Sequence, residues 1–172
     1  MTARSDFAAA RDERWFEDYS TGTTSSCGPL EVTQDDILDF AEKFDPQPIH
    51  LDSESAQNGP FGGLIASGWH TASLMMRLYA DHYLSHPASL GGPGIDALRW
   101  VAPVRPGDEL TLHTTVAASR RSKKQPEKGI VHTNVELTNQ RDEVVFTCTV
   151  INMIRTRPQR QEHIEAASRR RR

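Results

Sequence analysis

The chain has 172 residues, with a hydrophobic fraction of 37% and a charged fraction of 25%. This is the length of one ordinary domain, which can bury a core without disulfides or metals. The composition argues against a disordered chain, and no apolar run approaches the ~20 residues of a membrane-spanning helix. The N-terminal residues MTARSDFAAARDERWF contain no apolar stretch typical of a signal peptide, so we expect a cytoplasmic location with no membrane partner.

The net charge of −3 conceals an uneven distribution. From Arg155 onward seven arginines stand against two glutamates, whereas the preceding residues hold 13 basic and 21 acidic side chains. The closing SRRRR has no aromatic residue for base stacking, so we expect no nucleic-acid partner. We predict one domain over residues 1–156 and a basic, disordered tail over residues 157–172.

Cysteine and histidine spacing gives no sign of a metal centre. Cys27 and Cys148 lie far apart without a CxxC partner, and they predict neither a disulfide framework nor a metal cluster. His82 and His86 have the spacing of a metal-binding pair, but no third ligand follows a recognisable pattern. We therefore expect no metal.

The first predicted elements are a strand and a helix. RWFEDYSTGTTSS suggests a short strand followed by a polar stretch, and PLEVTQDDILDFAEKF predicts a helix. Thr33 is suited to cap that helix, and an apolar stripe of Ile37, Phe40, Ala41 and Phe44 has helical spacing. Pro46 ends the helix because the residue before a proline is forced out of helical geometry.

A second helix is predicted over SGWHTASLMMRLYADHYLS. Its apolar side chains form one stripe of Trp69, Ala72, Met76, Tyr79 and Tyr83. Leu74 and Leu78 lie well round the helix from that stripe. A helix that is apolar on more than one face is expected to be wrapped by other structure.

After LGGPG the pattern changes to that of strands. IDALRWVAPVRPGDELTLHTTVAAS, GIVHTNVELTN and EVVFTCTVINMI are rich in β-branched residues, and the polar turns between them suit antiparallel hairpins. Alternating apolar positions run through Leu110, Leu112, Thr114, Val116 and Ala118, then Val131, Thr133, Val135 and Leu137. The sequence predicts an α+β domain in which a helix packs on one curved antiparallel sheet.

The segment DPQPIH places an acid and an imidazole around two prolines. Fully extended, it would separate Asp45 from His50 by roughly 16 Å. Pro46 favours a turn, Asp45 can bond backbone amides just ahead of it, and Pro48 holds Gln47 extended. We expect a stiff, non-helical bend that brings His50 back toward Asp45.

These residues resemble a known family. Asp45-Pro46-Gln47-Pro48-Ile49-His50 is similar to the Asp-x-Asn-Pro-x-His motif of the MaoC-like acyl dehydratases, the (R)-specific enoyl-CoA hydratases. The likeness continues through GPFGGLIASGWHTASLMMRL and LRWVAPVRPGDELTL, and it covers roughly residues 15 to 154. Gln47 departs from the motif, because it replaces an asparagine by a longer amide.

The resemblance implies a hot dog fold, in which a curved sheet wraps a central helix, and a homodimer or higher homo-oligomer whose sheets join edge to edge. It also implies interconversion of trans-2-enoyl and (R)-3-hydroxyacyl thioesters of coenzyme A or acyl carrier protein, without a cofactor. Asp45 and His50 would activate water, and the Gly68 amide at a helix N-terminus would stabilise the enolate. Gln47, Ser67 and Trp69 would contact the substrate, with glycine at position 68 admitting the thioester.

Other interpretations stay open. Asp45 could be a plain turn residue, His50 a structural histidine, and Ser67 with Gly68 an ordinary helix cap. A hot dog thioesterase usually takes its acid or nucleophile from the central helix, where no acid occurs before Asp81. A non-catalytic acyl-CoA binding subunit is the third possibility. The basic loop SRRSKKQPEK is either a solvated turn or a site for the phosphates of coenzyme A.

Overall fold

The computed structural model describes residues 2–158, and most of the predicted basic tail, from residue 159 onward, lies outside the described residues. The helices and strands in chain order are β1 (Thr2–Ser5), β2 (Thr24–Glu31), α1 (Gln34–Phe44), α2 (Pro48–Leu51), α3 (Ser53–Gln57), α4 (Gly68–His82), β3 (Gly94–Trp100), β4 (Glu109–Arg121), β5 (Lys128–Thr138) and β6 (Val144–Arg155). Within the described part of the chain, no helix has the length and apolar character needed to cross a bilayer.

The six strands form one antiparallel sheet in the order β1-β2-β4-β5-β6-β3. Burial alternates along β5, where Val131, Thr133, Val135 and Leu137 face the core as predicted. In β4 the alternation fails at Ala118, which is exposed because the register shifts between Val116 and Ala118. The predicted α+β class is confirmed.

Helix α4 lies against the inner face of this sheet. Met75, Leu78 and Tyr79 are fully buried, and the Tyr79 hydroxyl donates to Asn152 Oδ1 of β6 at 2.6 Å. Cys27 Sγ of β2 lies 3.9 Å from the Leu78 carbonyl. The helix thus contacts strands on both sides of the sheet centre, as expected of a helix wrapped by other structure.

The predicted stripe of α4 was wrong in part. Trp69 and Met76 are 59% and 40% exposed, whereas Thr71 is buried beside the core residues. Thr71 can be buried because its hydroxyl donates to the Ser67 carbonyl, one turn earlier. The positions of the large apolar side chains Trp69 and Met76 therefore do not show which face of α4 is buried.

The first strand was also misplaced. Phe16–Asp18 forms a 3₁₀ turn, and the strand that follows is β2, with the largely polar sequence TSSCGPLE. Strand β2 pairs with β4 through backbone hydrogen bonds, which do not depend on apolar side chains. Strand β1, which had no signal in the sequence, pairs with β2 at the sheet edge.

Helix α1 begins as predicted. Thr33 is its N-cap and accepts a hydrogen bond from the Asp36 amide at 3.1 Å. Ile37 and Ala41 of the predicted stripe are buried, whereas Phe44 in the last turn is 70% exposed. The helix ends at Phe44 and leaves Asp45 as its C-cap, so the end of α1 fixes where that carboxylate stands.

The N-terminal segment closes over the C-terminal end of α4. The buried Arg14 guanidinium donates to the Tyr83 carbonyl at 2.8 Å and lies 3.7 Å from the centre of the Phe7 ring. Arg11 donates to the Ala80 carbonyl at 3.2 Å. Two cations therefore stand at the negative end of the helix dipole, where positive charge is stabilising.

Candidate active site

The segment after α1 brings an acid and an imidazole together. His50 Nε2 lies 3.4 Å from Asp45 Oδ2. Gln47 is extended, as expected ahead of Pro48, but the residues after it form the single-turn helix α2 with Pro48 at its first position. A proline is tolerated there because that amide needs no helical partner. The expected bend exists, but the expectation that it would be non-helical was wrong.

The Asp45 carboxylate is held by two donors. Ser67 Oγ donates to Oδ2 at 2.6 Å, and Gln47 Nε2 donates to Oδ1 at 2.7 Å. Both bonds favour the ionised form, the Ser67 bond more than the Gln47 bond. They hold the pKa of Asp45 below its ordinary value. The longer amide of Gln47 thus reaches the acid of the motif, and Asp45 is an anion at neutral pH.

The His50 ring is buried, and its orientation is set by the backbone. Its Nδ1 lies 2.9 Å from the Ile65 carbonyl oxygen. A carbonyl oxygen can only accept, so Nδ1 carries the hydrogen. In the neutral ring the lone pair is then on Nε2, the atom that faces Asp45. The arrangement places Nε2 of the imidazole beside a fixed carboxylate.

The N-terminus of α4 meets this pair. Ser67 is the N-cap and accepts from the Trp69 amide at 3.2 Å while it donates to Asp45. Gly68 is the first helical residue and lines the same cavity as Asp45 and His50. Amides in the first turn of a helix lack intrahelical acceptors and favour negative charge.

Gly68 also lies against an aromatic side chain that the sequence analysis did not select. A Cβ atom at Gly68 would stand 2.4 Å from Cε2 of Trp100, which leaves no room for any side chain. The Trp100 Nε1 donates to the Gly68 carbonyl at 2.8 Å, and the rings of Trp100 and Trp69 pack edge to face with 5.5 Å between their centroids. Trp69 itself is mostly exposed at the mouth of the cavity.

A cavity of about 460 Å³ joins these groups. It is lined by Asp45, Gln47, Ile49, His50, Phe61, Ile65, Ala66, Gly68, Trp69, Thr71, Trp100, Val101, Ala102, Pro103 and Val104. Apart from Asp45 and His50 none of these side chains is acidic or basic. The cavity suits an apolar group that reaches the acid–imidazole pair.

A larger cavity of about 1050 Å³ lies elsewhere, between Trp15, Arg121, Arg157 and neighbouring residues. No histidine occurs among the described residues of its lining, and Arg121 is paired with Glu17 at 2.9 Å. Arg121 ends β4, a 13-residue strand whose other end follows the Val104 segment of the smaller cavity, so the two ends are about 40 Å apart. The acid–imidazole pair therefore lies in the smaller cavity, far from the Arg121 end of β4.

We predict that Ser67→Ala raises the pKa of Asp45 toward its ordinary value of 3.8, because the stronger of the two donors to the ionised carboxylate is removed. A carboxyl ¹³C NMR titration measures the change. Stability from Asp45 is present above its unfolded pKa and lost as pH falls through its lowered folded pKa, so the variant should also lose stability at neutral pH. Ser73→Ala, an exposed serine of α4, is the control; equal titrations in both variants would contradict the prediction.

Comparison with known proteins gives the family. Residues 20–139 match the model described as "MaoC like domain". An uncharacterised protein of Bacillus subtilis, YdeM, is 32% identical over 130 residues, which are 76% of this chain and 91% of that protein. A protein of Methylorubrum extorquens named 3-hydroxybutyryl-CoA dehydratase is 35% identical over 108 residues, covering 60% of this chain and 64% of that protein.

A solved structure supports the same assignment. The MaoC-like dehydratase from Rhodospirillum rubrum superimposes with a TM-score of 0.80 and 41% sequence identity, covering 85% of this chain and 99% of that one. The likeness confirms the hot dog arrangement of sheet and central helix. With a family model that matches most of its length, this chain belongs to the MaoC-like dehydratase family.

Proposed function

We propose that this protein is a hydratase/dehydratase that interconverts trans-2-enoyl-CoA and (R)-3-hydroxyacyl-CoA. The observation that carries the proposal is the Asp45–His50 pair, 3.4 Å apart, in an apolar cavity that also contains the N-terminus of α4. Hydration of an enoyl thioester needs a base for water, a proton donor for the α carbon and a site for enolate charge. The cavity offers a group for each.

In this mechanism the base is His50. Its Nδ1 is bound to the Ile65 carbonyl, so Nε2 is the free lone pair and takes a proton from a water molecule. Asp45, whose lowered pKa makes it a poor base, stays ionised. It accepts a hydrogen bond from the same water and stabilises the imidazolium that forms. His50 thus transfers the proton, and Asp45 orients the water molecule.

The remaining steps complete the addition. The water oxygen bonds to the β carbon, and the π electrons move through the α carbon to the thioester oxygen, which becomes an enolate. The Gly68 amide donates to that oxygen, aided by the helix dipole. The imidazolium then returns its proton to the α carbon, so one water is added and His50 is neutral again. Dehydration is the reverse sequence.

The two alternatives from the sequence have less support. Asp81, the first acid along α4, lies 13 residues beyond Gly68, which is about 20 Å along a helix. It is also engaged by Arg77 at 2.6 Å. A thioesterase would therefore lack an acid from α4 near the cavity. A protein that only binds acyl-CoA would not need a carboxylate and an imidazole held in fixed orientation by hydrogen bonds.

We predict that Asp45→Asn and His50→Ala each lower kcat/KM for crotonyl-CoA hydration by at least about a hundredfold, the usual contribution of a positioned acid or base. Loss of enoyl absorbance on purified protein measures the rate. Asp39→Asn and His86→Ala, both exposed, are the matched controls and should react like the unmodified protein. Release of free thiol would instead favour the thioesterase, and acyl-CoA binding without turnover would favour the binding subunit.

The charge of the cavity predicts substrate preference. A carboxylate at the far end of the acyl chain would enter a lining in which the one acidic side chain, among those described, is the Asp45 anion. At about 8 Å and an effective dielectric of about 20 the repulsion is about 2 kcal/mol, or roughly thirtyfold. trans-2-Pentenoyl-CoA should therefore have a higher kcat/KM than glutaconyl-CoA, which has the same chain length. Equal values in the hydration assay would contradict this account of the cavity.

We also propose that the working form is a homodimer joined at β3. This strand ends the sheet, and the exposed side chains on and just after it include Ile95, Trp100 and Val101, which are 45%, 49% and 56% exposed. Pairing through this edge would cover both its apolar surface and its free backbone groups. Light scattering should give twice the 19.2 kDa of one chain, and Ile95→Lys should lower that mass. A single-chain mass for the unmodified protein would contradict the proposal.

A further inference from the structure

The glycine at position 68 is not required by its own backbone. Gly68 begins α4 as an ordinary helical residue, unlike Gly62 and Gly63, whose φ angles are positive. Any amino acid could adopt this conformation. The need for glycine at this position must therefore come from the atoms around its Cα.

Those surroundings are the face of Trp100. A Cβ at Gly68 would lie 2.4, 2.6 and 2.8 Å from three atoms of the indole, closer than real side chains approach one another. The indole Nε1 donates to the Gly68 carbonyl at 2.8 Å. The ring therefore contacts Gly68 in two ways, by packing on its Cα and by a hydrogen bond to its oxygen.

Trp100 is itself well anchored. It ends β3, where it pairs with Phe146 of β6, and the next amide, that of Val101, donates to the Val145 carbonyl at 2.9 Å. Three residues beyond Val101, the chain runs beside the segment that leads into α4, because the Ala66 amide donates to the Val104 carbonyl at 2.8 Å. The sheet edge thus fixes the backbone of Trp100, and its indole contacts the start of α4.

We propose that Trp100 is a positioning residue, which fixes the amide of Gly68 where enolate charge develops, and that glycine occurs at position 68 to admit the indole. This inference rests on the proposed hydratase function for its kinetic consequence. It replaces the expectation from sequence that glycine admits the thioester. Enolate charge exists only in the transition state and intermediate, so a displaced amide lowers kcat more than it raises KM.

A double-mutant cycle tests the pairing. Gly68→Ala should lower kcat for crotonyl-CoA at least a hundredfold and lower the thermal midpoint, because its methyl group displaces the indole. The double variant with Trp100→Ala should have a kcat at least tenfold above that of Gly68→Ala alone. It should also recover part of the lost thermal midpoint, since the methyl group then has space. If glycine were needed for the thioester instead, the double variant would be as slow as Gly68→Ala or slower, and this result would overturn the inference.

Trp100→Phe separates positioning from substrate binding. It keeps an aromatic ring but removes the donor to the Gly68 carbonyl and the part of the indole that packs on Gly68, so kcat should fall about tenfold while KM changes less than about twofold. Trp15→Phe, at the other cavity, is the matched control and should leave both constants unchanged. A change in KM alone would overturn the positioning role and mark Trp100 as a binding contact.

A readout without turnover keeps this inference distinct from the proposed reaction. Acetoacetyl-CoA, an enolisable thioester, should bind the unmodified protein more tightly than Trp100→Phe, measured by calorimetry. If no enoyl thioester is hydrated but this difference and the coupling in thermal midpoint remain, the proposed reaction fails and the positioning of Gly68 stands. If hydration proceeds and neither effect occurs, the inference fails and the reaction stands.

Discussion

The arrangement of the site depends on one hydroxyl group. Ser67 Oγ accepts from the Trp69 amide, which starts α4, and donates to Asp45, which ends α1. One side chain therefore fixes both the position of an anion and the first turn of the helix whose amides face it. Because the same bond lowers the pKa of Asp45, the geometry and the charge of the site have a common cause.

The sheet fixes the position of α4 as a whole, which the bonds of Ser67 do not. Helix α4 is held by the Tyr79 bond to β6 in its last turn and by the burial of Met75 and Leu78, so its N-terminus cannot shift far along its axis. The edge strand β3 then contributes Trp100 against the helix start. Elements distant in sequence therefore meet within one cavity, and the acid–imidazole segment needs only six residues to complete it.

Local chemistry explains what could be predicted from the sequence. Proline restricts its neighbours within a few residues, so the closeness of Asp45 and His50 was predictable, as were the Thr33 cap and the alternation of β5. The rest depends on contacts at long range. Strand β2 forms because β4 offers it a backbone partner, and the Trp100 contact with Gly68 joins residues 32 apart. No pattern of hydrophobicity within either segment encodes these pairings.

The arginine at the opposite end of α4 gives the helix an asymmetric response to acid. The Arg14 guanidinium holds that end through the Tyr83 carbonyl and the Phe7 ring. Asp45, at the other end, loses its charge when the solution becomes acidic enough. Acidification therefore acts on the Ser67–Asp45 contact at the start of α4, whereas the groups that Arg14 contacts at the other end, a backbone carbonyl and a phenyl ring, do not titrate.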